Sequence, residues 1–222
     1  MPFLVVDDQV NSRATAADWI VNTFGEGEAI SQNEPLPSID ALLRRVERDR
    51  IDAVVLDYKM ARNYAPANGM ILANQLFDAQ IPSVILSTYV EQGLPDFVWL
   101  GAKVPAVLSR SELHSGLADA VARARLRVQG HHSPQTLPSR TVVRIDSIDD
   151  DDVGLLIPGY RSDGKLVKRR DLQERLPGVE LKVSLRFMAQ VNLGAPSLDQ
   201  LYVTDLELAP ELDEEYARLL RR

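Results

Sequence analysis

Three aspartates stand where two apolar segments of the sequence end. The segment "FLVVDD" closes on Asp7 and Asp8, and the segment "IDAVVLD" closes on Asp57. If both segments are strands of one parallel sheet, their carboxyl ends meet at the edge where such sheets bind ligands. Clustered carboxylates raise each other's pKa, and a hard cation such as Mg²⁺ relieves their repulsion. The set predicts a magnesium site, although each aspartate taken singly is more simply explained as a helix cap or a turn residue.

Two further groups are predicted at the same edge of the sheet. The segment "VILSTYV" ends on hydroxyl residues that begin with Ser87, and the segment "AVLSRSEL" places Arg110 just after its strand. Ser87 could instead bond only to the backbone, and Arg110 could pair with a surface acid. Taken in order, however, a carboxylate nucleophile, a metal, a cation and a hydroxyl donor are the parts of a phosphoryl-transfer site. The nucleophile of such a site would be Asp57.

These side chains need strands to carry them, and the first 126 residues contain short segments of the right kind. The segments are rich in Val, Ile and Leu and are bounded by polar residues, Gly or Pro, as strands buried on both faces are. They lie at residues 3–7, 52–57, 82–87 and 104–109. Stretches with helical spacing lie at residues 10–24, 39–50, 69–80 and 111–126, with a weaker one near 91–100. The alternation predicts an α/β fold with a doubly wound five-strand parallel sheet.

The first two helices carry more detailed predictions. Ser38 directly precedes the second helix and is suited to cap its free N–H groups. In the first helix, one stripe of apolar residues is predicted to face the core. This stripe consists of Val10, Ala14, Ala17, Val21 and Phe24.

The pattern changes after residue 126. Residues 127–140 concentrate Gly, Pro, Ser and His, which is typical of a linker. Alternating apolar residues then predict strands at 141–148, 153–158, 180–191 and 201–209. They predict a small antiparallel β domain over residues 141–209, either a five-strand barrel or a half-barrel. Residues 210–222 are acidic first and basic last, which predicts a C-terminal helix.

Composition excludes several classes of protein and of site. The chain has 222 residues, no cysteine and three histidines, so it has no disulfide scaffold, thiolate zinc site or thiol nucleophile. No apolar segment is long enough to span a membrane and the start lacks the pattern of a signal peptide, so a cytoplasmic protein is expected. The net charge of −7 disfavours broad non-specific binding to nucleic acid.

Taken in strand order, the site positions resemble the receiver domain of two-component response regulators over residues 1–126. The resemblance implies that Asp57 accepts a phosphoryl group from a histidine kinase or phosphotransfer protein. It implies that Asp7 and Asp8 hold Mg²⁺ together with Asp57, and that the backbone carbonyl of Lys59 completes the protein ligands of the metal. A regulator rather than an enzyme is implied.

The resemblance also assigns the remaining contacts. The sequence differs from the family at three positions. Ser87 and Arg110 would contact the phosphoryl group, and a homodimer would form through the face of helix 4, strand 5 and helix 5. The chain has Arg110 where the family has lysine, Val107 where it has an aromatic residue, and Ala61 where it has proline in a shorter loop. A receiver fold that serves only as a constitutive protein-interaction subunit is therefore one alternative function, and a β domain that binds nucleic acid is another.

The β domain has a weaker functional signal. A basic cluster could contact a polyanion or a partner protein, but nearby acids could equally neutralise it. The cluster consists of Lys165, Lys168, Arg169 and Arg170. The acidic segment "DSIDDDD" would repel a nucleic-acid backbone, so a protein partner is favoured over nucleic acid.

Overall fold

The computed structural model describes residues 2–90, 94–160 and 164–210, and its first part is built on a parallel sheet. The strands are β1 (Phe3–Val6), β2 (Ala29–Ser31), β3 (Ala53–Asp57), β4 (Ser83–Ser87) and β5 (Ala106–Ser109). The helices are α1 (Val10–Phe24), α2 (Ile39–Arg48), α3 (Gly69–Asp78), α4 (Phe97–Leu100) and α5 (Leu113–Val128). The strand order β2-β1-β3-β4-β5 is that of flavodoxin-like folds, which confirms the predicted doubly wound sheet.

Apolar side chains of this sheet point alternately to two cores. Leu4 and Val6 of β1 face a core shared with α2 and α3, whereas Phe3 and Val5 face a core shared with α1 and α5. Side chains alternate between the faces of a strand, so a strand buried on both faces must be apolar throughout. The continuous apolar runs in the sequence therefore reflect a sheet covered by helices on both sides.

The detailed helix predictions have different outcomes. Ser38 does cap α2, since its Oγ accepts a hydrogen bond from the N–H of Ala41 at 3.1 Å. The predicted stripe of α1 is only partly right: Ala17 and Phe24 pack against the core, but Val10 is 67% exposed. The fully buried residues of this helix are Arg13, Ala16 and Ile20. The prediction followed the apolar residues, whereas a polar residue, Arg13, lies on the buried face.

The second part contains a curled five-strand antiparallel sheet in a half-barrel. Its strands are β6 (Ser139–Ile148), β7 (Asp152–Leu156), β8 (Lys165–Lys168), β9 (Arg186–Val191) and β10 (Val203–Leu208), in the order β10-β9-β6-β7-β8. The short helix α6 (Arg169–Arg175) follows β8. The prediction of a strand over 180–191 is too long, because only Arg186–Val191 pairs. The predicted C-terminal helix lies outside the described residues, except for its first residue.

The connection between the two sheets is tied to the second one. α5 continues to Val128 and β6 begins at Ser139, so residues 129–138 form this connection. The amide of Asn192 donates to the carbonyl oxygen of Gln135 at 2.9 Å, and the hydroxyl of Tyr202 donates to that of Thr136 at 2.9 Å. The polar residues that predict a linker thus run along the second sheet and supply carbonyl oxygens to its side chains.

The two parts also meet through α4. Val98 and Trp99 of this helix are 4% and 7% exposed and belong to the hydrophobic core of the second sheet. The guanidinium of Arg175, from α6, lies 4.4 Å from the centroid of the Trp99 ring. The weaker helix predicted at 91–100 is therefore only Phe97–Leu100 in the described residues, and its side chains are shared with the second sheet. Among the helices in the described ranges, none has the length and apolar character needed to cross a bilayer.

Candidate metal centre

The structure brings the three predicted aspartates together at the carboxyl edge of the first sheet. β1 ends directly before Asp7, and its neighbour β3 ends on Asp57. The two strands pair in parallel, so their ends reach the same edge. Asp7, Asp8 and Asp57 each offer a carboxylate oxygen within 4.8 Å of the others. This separation allows one small cation to touch all three carboxylates.

Arg110 bridges two of these carboxylates. It follows β5 in a single 3₁₀ turn, and its Nη2 donates to Asp7 Oδ2 at 2.6 Å and to Asp57 Oδ1 at 2.5 Å. The side chains of Arg110, Asp7 and Asp57 are only 22%, 3% and 11% exposed. Water therefore screens the two ion pairs less than it would at the surface. One guanidinium group compensates part of the negative charge of the cluster.

The third carboxylate, Asp8, has one oxygen that is bonded and one that is not. Its Oδ2 accepts a hydrogen bond from the backbone N–H of Ala61 at 2.9 Å. Its Oδ1 is buried and has no hydrogen-bond partner in the structure. A buried acceptor without a partner costs free energy, and a hard cation that prefers oxygen would satisfy it. The residues present therefore fit Mg²⁺, with Asp7, Asp8 and Asp57 as the carboxylates that would hold it.

A second arginine lies beside the cluster and was not predicted from the sequence. Arg13, on α1, is 6% exposed, and its Nη1 donates to the main-chain oxygen of Asp7 at 2.5 Å. Arginine is rarely buried, so the spacing of apolar residues does not predict a buried arginine. The only signal for Arg13 is its position on the same helical face as Ala16 and Ile20.

The other two predicted site residues lie at or just beyond the ends of β3 and β4. Ser87 is 1% exposed, and its Oγ accepts a hydrogen bond from the backbone N–H of Tyr89 at 2.9 Å. This bond uses the oxygen as an acceptor, so the hydroxyl hydrogen can still be donated. Lys59 is exposed, and its ammonium lies 4.1 Å from the centroid of the Tyr89 ring. The roles of Ser87 and of the Lys59 carbonyl remain predictions.

The site raises the pKa of its central carboxylate. The pKa of Asp57 is raised to about 6: burial is the largest cause and the charges of Asp7 and Asp8 add to it, whereas the hydrogen bond and charge of Arg110 oppose the shift. Burial has the largest effect because it removes the water that stabilises a carboxylate. A cation bound at the cluster would stabilise the ionised form of Asp57.

This pKa gives a prediction for stability against pH. The pKa of Asp57 is 3.8 in the unfolded chain and about 6 in the folded one. Between these two pH values, the folded state therefore keeps a proton on Asp57 that the unfolded state has lost. Stability contributed by this group therefore falls as the pH rises between these values and then levels off. Replacing Asp57 with asparagine should stabilise the metal-free protein, and this gain should grow by about 2 kcal/mol from about pH 4.5 to about pH 7.5. Urea unfolding of both proteins with a chelator measures it, and a gain that does not change with pH would contradict the prediction.

The predicted basic cluster of the second sheet has partners within the chain. Lys165 donates to a main-chain carbonyl oxygen at 2.7 Å, and burial lowers its pKa. Lys168 pairs with Asp152 at 2.8 Å. Arg169 and Arg170 are exposed at the start of α6. These contacts neutralise part of the charge, and a role for the cluster in binding a polyanion or partner remains a prediction.

Comparisons with known proteins gave matches to solved structures alone. No protein-family model and no curated protein matches the chain. NtrX from Brucella abortus is 17% identical with a TM-score of 0.43, and the match covers 59% of this chain and 29% of that one. A response regulator receiver domain protein from Clostridium thermocellum is 17% identical with a TM-score of 0.42, over 58% of this chain and 96% of that one.

A third match is the N-terminal domain of a response regulator/sensory box/GGDEF 3-domain protein from Carboxydothermus hydrogenoformans. It is 16% identical with a TM-score of 0.43, over 60% of this chain and 100% of that one. The present chain thus spans less than a third of the NtrX chain but the whole length of this isolated domain. The structures found to resemble this chain include receiver domains of response regulators, matched over its N-terminal part, about 58% of its length.

Proposed function

We propose that this chain is a response regulator in which Asp57 accepts a phosphoryl group in the presence of Mg²⁺. The observation that carries the proposal is the group of three carboxylates within 4.8 Å of one another, two of them bridged by Arg110. It lies at the edge of a parallel sheet where α/β proteins bind ligands. The donor would be a phosphohistidine on a histidine kinase or phosphotransfer protein.

We propose a part for each side chain in this transfer. Asp57 Oδ1 accepts the hydrogen bond of Arg110, so Oδ2 is the oxygen proposed to attack phosphorus. The new O–P bond forms as the P–N bond to the donor histidine breaks and its electron pair returns to the ring nitrogen. Arg110 and the hydroxyl of Ser87 would then donate hydrogen bonds to phosphoryl oxygens. Mg²⁺ held by the aspartates and the Lys59 carbonyl would neutralise developing charge.

The helix α4 is the proposed route from this site to the β-rich output domain. Asn68 caps α3 at the far end of the loop that follows Asp57, and its amide donates to Asp96 at 2.9 Å. Asp96 immediately precedes α4, whose Trp99 lies in the core of the second sheet. A phosphoryl group on Asp57 would bias an existing equilibrium between two arrangements of this contact. The output domain would then bind its partner, a protein rather than nucleic acid, to a different extent.

The same contact bears on a homodimer through helix 4, strand 5 and helix 5. Because α4 packs against the second sheet, that face is partly covered within one chain. A homodimer through it would therefore form after the contact opens, and phosphorylation would favour it. We propose that the chain divides into a receiver-like domain, a linker and a β domain. The bounds predicted from the sequence, 1–126, 127–140 and 141–209, shift by two residues on each side of the linker, since α5 ends at Val128 and β6 begins at Ser139.

Phosphoryl uptake is the direct test. Incubation with a small acyl phosphate and Mg²⁺ should add one phosphoryl group to the parent protein, as measured by intact mass. Asp57→Asn should abolish the gain because it removes the nucleophile, and a chelator should suppress it. Asp52→Asn is a matched control because Asp52 directly precedes β3, at the end opposite to Asp57, and pairs with Arg125. A parent protein without mass gain would favour the constitutive interaction subunit, in which Arg110 alone compensates the carboxylates.

A further inference from the structure

The loop between β3 and α3 supplies a hydrogen-bond donor to the carboxylate cluster. Its residue Ala61 is exposed, yet the backbone N–H of this residue points to Asp8 Oδ2 across a distance of 2.9 Å. The two residues are 53 positions apart in the chain, so this is a tertiary contact rather than a local turn. An N–H bonded to a carboxylate is a strong, charge-assisted hydrogen bond.

The loop is itself fixed by Tyr64. This residue is 8% exposed, its hydroxyl donates to the carbonyl oxygen of Gln32, and its own carbonyl accepts the N–H of Leu36 at 2.7 Å. Its backbone N–H donates to the carbonyl oxygen of Ala61 at 2.9 Å, which closes a turn over residues 61–64. The carbonyl group of Ala61 is therefore tied to a buried anchor, which keeps this residue in place beside Asp8.

The fixed donor determines which oxygen of Asp8 faces the cluster. With Oδ2 bonded to Ala61, the buried Oδ1 is the oxygen left without a partner. We propose that the backbone N–H of Ala61 is a positioning group, which locks the Asp8 carboxylate with Oδ1 presented as a ligand for the divalent cation. The inference rests on the cation site of the proposed function. It adds that the loop preorganises this site, since partners of metal-binding carboxylates typically change metal affinity 10–100-fold.

Removing this N–H requires proline, which lacks it. Ala61→Pro should weaken Mg²⁺ binding by about tenfold, measured by calorimetric titration of the full chain. Arg62→Pro is the matched control. It places the same rigid residue at the second position of the turn, where proline is favoured, and leaves the N–H of Ala61 in place. Thermal melting without metal checks that each variant is folded.

A double-mutant cycle separates positioning from general loosening of the loop. In Asp8→Asn, the N–H of Ala61 should hold the side-chain oxygen and turn the amide NH₂ toward the cation, which prevents binding through this residue. Adding Ala61→Pro frees the amide to turn its oxygen inward. Ala61→Pro should therefore weaken Mg²⁺ binding in the Asp8 background but leave it unchanged or tighter in the Asp8→Asn background.

Each outcome decides the inference. Opposite effects in the two backgrounds would support it. Equal weakening in both backgrounds, or Mg²⁺ affinity in Ala61→Pro equal to that of the parent, would overturn it. Mg²⁺ binding that responds as expected without phosphoryl uptake would contradict the proposed function and leave the positioning role standing. A parent protein that binds no Mg²⁺ would overturn both.

Discussion

Replacing Trp99 with alanine is expected to lower the free energy of unfolding by about 3–5 kcal/mol. The ring is 7% exposed and lies in the core of the second sheet, with the Arg175 guanidinium above its face. The substitution leaves a cavity between the two parts of the chain and removes this cation–π contact. Because Trp99 joins the two sheets, unfolding in urea should also separate into two transitions, detectable by circular dichroism.

The chain supplies a matched control for this change. Trp19 is the other of its two tryptophans and lies partly buried on α1, beside the ring of His114 at 5.9 Å between centroids. Trp19→Ala removes the same side chain from a position away from the second sheet, so it should cost less stability and leave a single transition. Equal losses in the two variants would show that the α4 contact does not hold the sheets together.

Gly69→Ala should disrupt the carboxylate site without changing any of its charged groups. A Cβ on Gly69 would lie 2.2 Å from the carbonyl oxygen of Asp57 and 3.2 Å from the Cα of Tyr58. These are backbone atoms at the end of a central strand, so they cannot move away as a flexible side chain can. The strand end or α3 must shift, at a cost of about 3 kcal/mol. Asp57 should move with the strand end, and phosphoryl uptake should fall strongly.

Gly116→Ala is the comparison for this prediction. A Cβ there would meet only the end of the Leu108 side chain, at 2.7 Å, and that side chain can turn aside. Gly116 also lies within α5, where alanine is the better helix former by about 1 kcal/mol. Stability and phosphoryl uptake should both stay near those of the parent. If Gly69→Ala behaved like Gly116→Ala, the close packing of α3 on Asp57 would have no functional role.

Much of the first sheet could be predicted because its strands are buried on both faces and read as continuous apolar runs. β2 is the exception: it has three residues, all only partly buried, and its "AIS" gives no clear signal. β8 was missed for a related reason, since its "KLVK" alternates correctly but lies in a basic segment. Short strands depend on their neighbours for stability, so their own residues identify them poorly.

The carboxylates of the site were predictable because strand ends fix their positions along the sequence. The contacts of Arg13 and Ala61 were not. Arg13 reaches Asp7 because it lies on the buried face of α1, and Ala61 contacts Asp8 through its backbone N–H, a group that every residue except proline has. Contacts of this kind depend on the path of a loop or the rotation of a helix, and residue types alone do not record either.

The helix α4 has only four residues, and the 3₁₀ turn after it adds three more. Helices shorter than about 12 residues are marginal in water unless packing holds them. The packing of Val98 and Trp99 into the second sheet supplies that support. Formation of this helix and docking of the β-rich domain are thus one cooperative folding event. If the second part is the output domain, as proposed, it would respond to the ordering or melting of a single helical turn rather than to the movement of a rigid surface.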